Sequence, residues 1–288
     1  MTSLRFGGVP EHFNYLWHVA LAHGLFESKA KVSLSWRDVL GGTGSMIKKL
    51  ENNELDVAIM LTEGAAKAIA DGMEMKIIGT YVQSPLQWGI HVPGQSSLEK
   101  IADLEGKRFA ISRKGSGSHL ISFLLAEQQG WELDKLQFEL VKNFEGAQDS
   151  FAKGESEVFL WEKFTTKPTV DIGEFKRVGI IPTPWPCFVM VARSHIANEH
   201  QKELLAILDT LRYVLNRVDE AEVLNYITLS YEQKEEDVEE WYKQTSWSVS
   251  PHIKRNEMDK VQKALIELGL IETAIPLEQY VANYCQLV

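Results

Sequence analysis

The residues best suited to chemistry lie in the run Arg113-Lys114-Gly115-Ser116-Gly117-Ser118-His119. Two cations precede a Gly/Ser-rich segment, which opens an apolar helix at Leu120-Ile121-Ser122-Phe123-Leu124-Leu125. A helix start carries unpaired N–H groups and partial positive charge, and small residues let a ligand come close to the backbone. With a guanidinium beside it, such a loop can receive an anionic group. Arg113, Ser116, Gly117 and Ser118 are its candidate contacts. The competing reading makes Arg113 and Lys114 plain solvated charges in an otherwise acidic chain.

Four further constellations stand at the ends of short apolar runs. Glu11 and His12 offer hydrogen bonds and Tyr15 a packing ring; His12 could equally be a helix-start residue. Gly42 and Thr43, within Gly41-Gly42-Thr43-Gly44-Ser45, allow close backbone approach and a hydroxyl donor, or form a tight turn. Thr62 and Glu63 suit ligand contact and, on stability grounds alone, the first turn of a helix. Trp161 and Glu162 pair an indole that can stack on a planar group with a carboxylate that can accept from an amine; packing alone also explains the indole. Trp185, between Pro184 and Pro186, reads rather as packing.

The patterns that would mark an enzyme are missing. No Gly-x-Ser-x-Gly elbow, His-Glu-x-x-His or Cys-x-x-Cys occurs, and Gly41–Ser45 lacks the Gly-Lys-Ser/Thr of a nucleotide-phosphate loop. Cys187 and Cys285 have no metal-ligand spacing. We expect no catalytic set, no metal and no cofactor.

These residues must be positioned by regular elements. Apolar runs predict strands at 4–8, 32–36, 57–61, 76–81, 88–92, 108–112, 158–161 and 188–192. Helical patterns alternate with them over 14–26, 44–52, 62–71, 97–103, 118–129 and 145–153. Strand alternating with helix signals doubly wound α/β sheets. After 192 the pattern turns helical, over 198–217, 219–228, 232–246 and 256–268. Extended, Pro-flanked stretches at 79–92 and 182–193 suggest crossings between two lobes. The expected division is 1–91 plus 190–288 for a discontinuous lobe, and 92–189 for the other.

At 288 residues, 44% hydrophobic and 24% charged, the chain has globular composition and length enough for a large core. A net charge of −10 without a basic run argues against nucleic acid as a partner. No apolar run approaches spanning length, so membrane insertion is not expected. The N-terminus lacks the pattern of a secretory leader, which favours the cytoplasm; a leader removed beforehand would instead mean a periplasmic or lipid-anchored protein.

In order, Pro10-Glu11-His12-Phe13-Asn14-Tyr15, Ala22-His23-Gly24-Leu25-Phe26-Glu27, Gly41–Met46, Leu55–Ile59, Ala70-Asp71-Gly72, Leu104-Glu105-Gly106-Lys107, Gly115–Ser118, Phe151–Glu155 and Leu160–Phe164 resemble the type II periplasmic-binding-protein family. The similar branch comprises the substrate-binding proteins for nitrate, taurine, aliphatic sulfonates and thiamine pyrimidine precursors. The resemblance covers about residues 4–193. It implies two-lobed α/β architecture with mixed sheets and a helical C-terminal extension. It also implies a small-molecule ligand, anionic or pyrimidine-like, clamped between the lobes by hinge closure without chemistry. Exported, such a protein would serve an ABC transporter permease. The alternative is a cytoplasmic enzyme on the same fold, acting on a small pyrimidine or carboxylate metabolite. The Cys-rich cluster of the fungal pyrimidine-precursor synthases on this fold is missing here.

Overall fold

The computed structural model describes residues 2–288. The chain forms two compact units: Met1–Ser84 with Pro184–Val288, and Pro85–Thr183. Boundaries at 91/92 and 189/190 would cut through strands that each hydrogen-bond within one sheet, Gln87–Pro93 and Phe188–Arg193.

In the first unit, β1 (Thr2–Gly8), α1 (Tyr15–Ala22), β2 (Val32–Asp38), α2 (Gly42–Glu51), β3 (Val57–Leu61), α3 (Thr62–Ala70) and β4 (Met75–Val82) alternate along the chain. In the second, β5 (Gln87–Pro93) leads to β6 (Arg108–Ile111), α4 (Gly117–Gln129), β7 (Gln137–Leu140), α5 (Phe144–Lys153), β8 (Val158–Glu162), α6 (Lys167–Asp171) and β9 (Phe175–Pro182). The chain then re-enters the first unit with β10 (Phe188–Arg193), α7 (Ser194–Glu199), α8 (Gln201–Leu215), α9 (Glu220–Tyr231), α10 (Glu235–Gln244), β11 (Trp247–Ser250) and α11 (Arg255–Glu267).

Both sheets repeat one plan. The first runs β11-β4-β10-β3-β1-β2, with β1 parallel to β2 and β3, and β10 antiparallel to β3 and β4. The second runs β7-β6-β8-β5-β9, with β6 parallel to β7 and β8, and β5 antiparallel to β8 and β9. Strand order reverses at β1 in one sheet and at β6 in the other. In open α/β sheets ligands bind beyond the carboxyl ends of strands at such reversals.

The strands form because their residues are apolar and β-branched and lie buried: Val57 to Met60 and Phe188 to Ala192 are inside throughout. The first unit's core is aromatic, with Trp17 wholly buried against Phe6 at 5.1 Å and Phe26 at 5.5 Å between ring centroids. The second unit packs Ala110, Val141, Ala147, Phe151, Phe159 and Phe175 into one cluster.

The helix expected over 97–103 is instead a short 3-10 turn at Ile101–Leu104, held by the Asp103 carboxylate accepting the N–H groups of Glu99 and Lys100. The helix expected over 198–217 is broken at His200, whose φ of −117° and ψ of 31° leave helical space, giving α7 and α8. No helix among the described residues is long and apolar enough to cross a membrane.

Candidate functional site

In the first unit, the carboxyl ends of β1, β2 and β3 carry Glu11–Tyr15, Gly42-Thr43 and Thr62-Glu63. The loop after β1 is pinned from several sides. The Asn14 amide donates to the Val9 carbonyl at 2.6 Å, and the Phe13 carbonyl accepts from the Tyr81 hydroxyl at 2.8 Å and the Trp247 indole N–H at 2.9 Å. Glu11 stands at the N-cap position of the short turn His12–Asn14 and is half-buried. His12 is buried, stacked on Phe13 at 4.8 Å and edge-on to Trp241 at 4.5 Å. Burial holds its imidazole neutral, with a pKa of about 3.

Gly42 begins α2 at φ +62°, a conformation that favours glycine. The buried Thr43 hydroxyl accepts the Leu61 N–H at 3.3 Å, which ties the second loop to the end of β3. Thr62 starts α3, its hydroxyl donating to the Pro186 carbonyl at 2.5 Å. Glu63 is 2% exposed; one carboxyl oxygen accepts the Trp185 indole N–H at 2.8 Å, and the other, Oε1, is buried without a hydrogen-bond partner. Burial pushes this carboxyl up to about 7, against the pull of its hydrogen bonds. The structure therefore joins Thr43, Thr62, Glu63 and Trp185 around the ends of β3 and β10. Tyr15 does not join them: its ring meets Tyr226 at 5.3 Å and lines a cavity between helices.

In the second unit, the carboxyl ends of β6 and β8 carry the remaining candidates. Ser116 caps α4, accepting the His119 N–H at 3.4 Å, and its hydroxyl lies 3.1 Å from that of Ser118. The Ser118 hydroxyl also accepts the Ser112 N–H at 3.2 Å, while His119 Nδ1 accepts from the Gly115 N–H at 3.0 Å. These bonds fold Ser112–His119 into a fixed loop at the start of α4. Arg113 is half-buried in it, and desolvation lowers its pKa.

Trp161 is half-buried and stacked on Phe159 at 5.3 Å, against the unit's core cluster. Glu162 is buried, and one oxygen accepts from the N–H groups of Phe164 and Thr165, at 2.9 and 2.6 Å, and from the Thr165 hydroxyl at 2.9 Å. Burial pushes it up to about 7 despite those donors. Its bonds make it the organiser of the turn after β8.

Sequence reasoning passed over Asn14 and leaned to packing for Trp185. Asn14 sits inside the run Pro10–Tyr15, but its role as the brace of its own loop needs tertiary geometry. The partner of Trp185 lies 122 residues away in the chain. Among the described residues no group of His, Cys, Asp and Glu could hold a metal ion.

A family model described as Ca3427-like PBP matches residues 88–181. No curated protein matches the sequence. Over 100% of this chain and 98% of the other, the fold is similar to that of the Candida albicans CA3427 gene product, which defines a family exhibiting the generic periplasmic binding protein structural fold; TM-score is 0.89 and identity 28%. The alkanesulfonate-binding protein SsuA from Xanthomonas axonopodis pv. citri, bound to MOPS, superposes at TM-score 0.82 with 17% identity over 98% of each chain. The periplasmic aliphatic sulphonate binding protein SsuA from Escherichia coli gives 0.77 with 16% identity over 99% of each.

With the two mixed sheets, these likenesses show the generic periplasmic binding protein fold. Over residues 88–181 the sequence is also similar to Ca3427-like PBP.

Proposed function

We propose that the chain is a solute-binding protein that holds a small molecule with an anionic group at its strand-end loops and releases it unchanged. The observation that carries this reading is the loop Ser112–His119. It presents two serine hydroxyls, a capped start of a 13-residue helix and the half-buried Arg113 at the carboxyl end of β6. An anion there would offset the desolvation of the guanidinium and use the N–H groups of the helix start. Thr43, Thr62 and Glu63, at the strand ends of the first unit, are further candidate ligand contacts, Glu63 accepting from an N–H or O–H. The sulfonate bound by similar proteins supports the ligand class; an ABC permease as partner would follow for an exported protein.

The test is a thermal-shift panel on the full chain with MOPS, ethanesulfonate, taurine, sulfate, nitrate and an aminopyrimidine. Free ligand at about 100 times its dissociation constant stabilises by about 2.7 kcal/mol, a rise of a few degrees in Tm. A rise with a sulfonate that Arg113→Ala abolishes, with the compound recovered intact, is expected. A sulfonate effect untouched by Arg113→Ala, or conversion of the compound, overturns the reading.

A further inference from the structure

Glu63 is a buried acid in the first turn of α3, at the carboxyl end of β3, and is 2% exposed. Its Oε2 accepts the Trp185 indole N–H at 2.8 Å, but Oε1 is buried with no hydrogen-bond partner among the described residues. Oε1 is unpaired in either protonation state. As a carboxylate oxygen it is an acceptor without a donor. As part of the acid, with Oε2 taken by the indole, it carries an O–H without an acceptor. A buried polar atom left in this way costs free energy that a bound group can recover. The adjacent hydroxyl does not serve it, since Thr62 donates to the Pro186 carbonyl.

No cation answers this carboxyl either. Besides β3, α3 packs against α2, α11, β4 and β10. Lys67 of α3 itself is paired with Asp71, Lys49 of α2 with Glu54, Lys263 of α11 with Glu267, and Arg193 of β10 with Asp56. Lys76 of β4 donates to the Gln279 carbonyl. Neither these nor any other charged side chain acts on Glu63; burial raises its pKa, opposed by its own backbone N–H and the indole. The acid thus keeps its proton for want of a counter-charge. A neutral donor would fill Oε1 and leave that proton in place. A cationic nitrogen supplies both the N–H and the charge.

From this arrangement we propose that ligand binding at the strand-end loops is proton-coupled: a cationic nitrogen of the ligand, an ammonium or amidinium, donates to Glu63 Oε1, and the carboxyl proton leaves to solvent. The nitrogen keeps its own protons, so one proton is released for each ligand held. Affinity therefore climbs with pH until Glu63 is ionised in the free protein. This coupling acts at the site of the function proposed above and rests on that reading. Trp185 is its positioning residue, because the indole N–H fixes Oε2 and leaves Oε1 for the ligand.

The experiment is calorimetric titration of the full chain with taurine and with ethanesulfonate, which lacks only the ammonium, at about pH 6 in cacodylate and in bis-tris. Neither buffer carries a sulfonate, and the difference in heat between them counts the protons exchanged. Taurine is expected to bind about tenfold or more tightly than ethanesulfonate and to release about one proton, whereas ethanesulfonate releases none. Its affinity should rise about tenfold per pH unit below neutrality and level off above about pH 7. Glu63→Gln should abolish the proton release and lower taurine to the affinity of ethanesulfonate. Trp185→Phe, which removes the donor to Oε2 and keeps the carboxyl, should move the levelling-off to higher pH. Equal affinity for the two sulfonates, taurine binding without proton release, release that persists in Glu63→Gln, or a pH profile unmoved by Trp185→Phe overturns the coupling while the ligand site stands. If neither sulfonate binds, the reading of the loops fails, and ethylammonium at up to about 50 mM tests Glu63 by itself. Saturable binding with proton release that Glu63→Gln removes then supports the coupling, and its absence overturns it.

Discussion

Glu63 holds its proton in the folded protein to about pH 7, whereas an ordinary glutamate releases it near 4.5. Between those values the folded state binds more protons than the unfolded one, so this group's contribution to stability falls as pH rises and is fully lost above about 7. Each pH unit between the two values contributes about 1.4 kcal/mol, which puts the total at about 3 kcal/mol. Glu63→Gln keeps an oxygen for the Trp185 indole and never ionises. It should raise stability by about 1–3 kcal/mol at pH 8 and change little at pH 5, read by urea unfolding at both values. An equal effect at the two values would contradict the buried-acid assignment. The same side chain is proposed to face a ligand, so ligand donating to Glu63 should also bind with a pH dependence centred near neutrality.

At the scale of elements, the start of α2 and the start of α3 touch at one point. A Cβ on Gly64 would come within 2.4 Å of Thr43 Cγ2, in a region where Thr43 is buried and already bonded to Leu61. Gly64→Ala should therefore cost about 1–3 kcal/mol by overpacking. Thr43→Ser removes the methyl and retains the hydroxyl, so the double variant should recover most of the loss in a double-mutant cycle. Additive losses would mean that the two helix starts do not press on each other.

Most of these elements were legible in the sequence because central strands are continuous apolar runs. β3, β6, β8 and β10 announce themselves in that way, and β1 by the alternation of Leu4 and Phe6 with polar residues. The strands that went unread are edge or polar ones. β7 is half exposed and ends at the 56% exposed Leu140, and β9 mixes Lys176 and Arg177 into its apolar residues. β11 pairs only through an irregular register with β4. At the candidate site, residue types at strand ends were readable, since a Gly/Ser-rich run before an apolar helix has one local meaning. Orientation was not. Tyr15 looks like a neighbour of His12 in sequence, but three further residues of helix turn its ring toward Tyr226, and only packing decides that.

For the whole molecule, buried histidines and buried acids set opposing slopes. His12 and His91 are held neutral by burial, with pKa of about 3, and His119 with about 4, against an ordinary 6.5. Their stabilising contribution is complete above 6.5 and is lost as pH falls below it. Glu63 and Glu162, both near 7, act in the other direction between 4.5 and 7. Burial lowers His18 in the same direction, so the histidines outweigh the two acids on the acid side, and only the acids still titrate above 6.5. The urea midpoint should therefore pass through a maximum near pH 6.5, with stability falling on the acid side by at least about one proton's effect, roughly 1.4 kcal/mol per pH unit. A midpoint that climbs steadily to about pH 8.5 would contradict this balance.

The insertion of Pro85–Thr183 between two parts of the first unit has a consequence for biosynthesis. β10 lies between β3 and β4 and is made after the whole second unit, so the amino-terminal strands emerge from the ribosome with the middle of their sheet missing. The second unit has every one of its strands by Pro182 and can collapse on its own sequence, while β1 to β4 wait as apolar chain. Nascent chains halted before Phe188 should thus protect the second unit from protease and leave the first 84 residues open to cleavage and to chaperones that recognise exposed apolar strands.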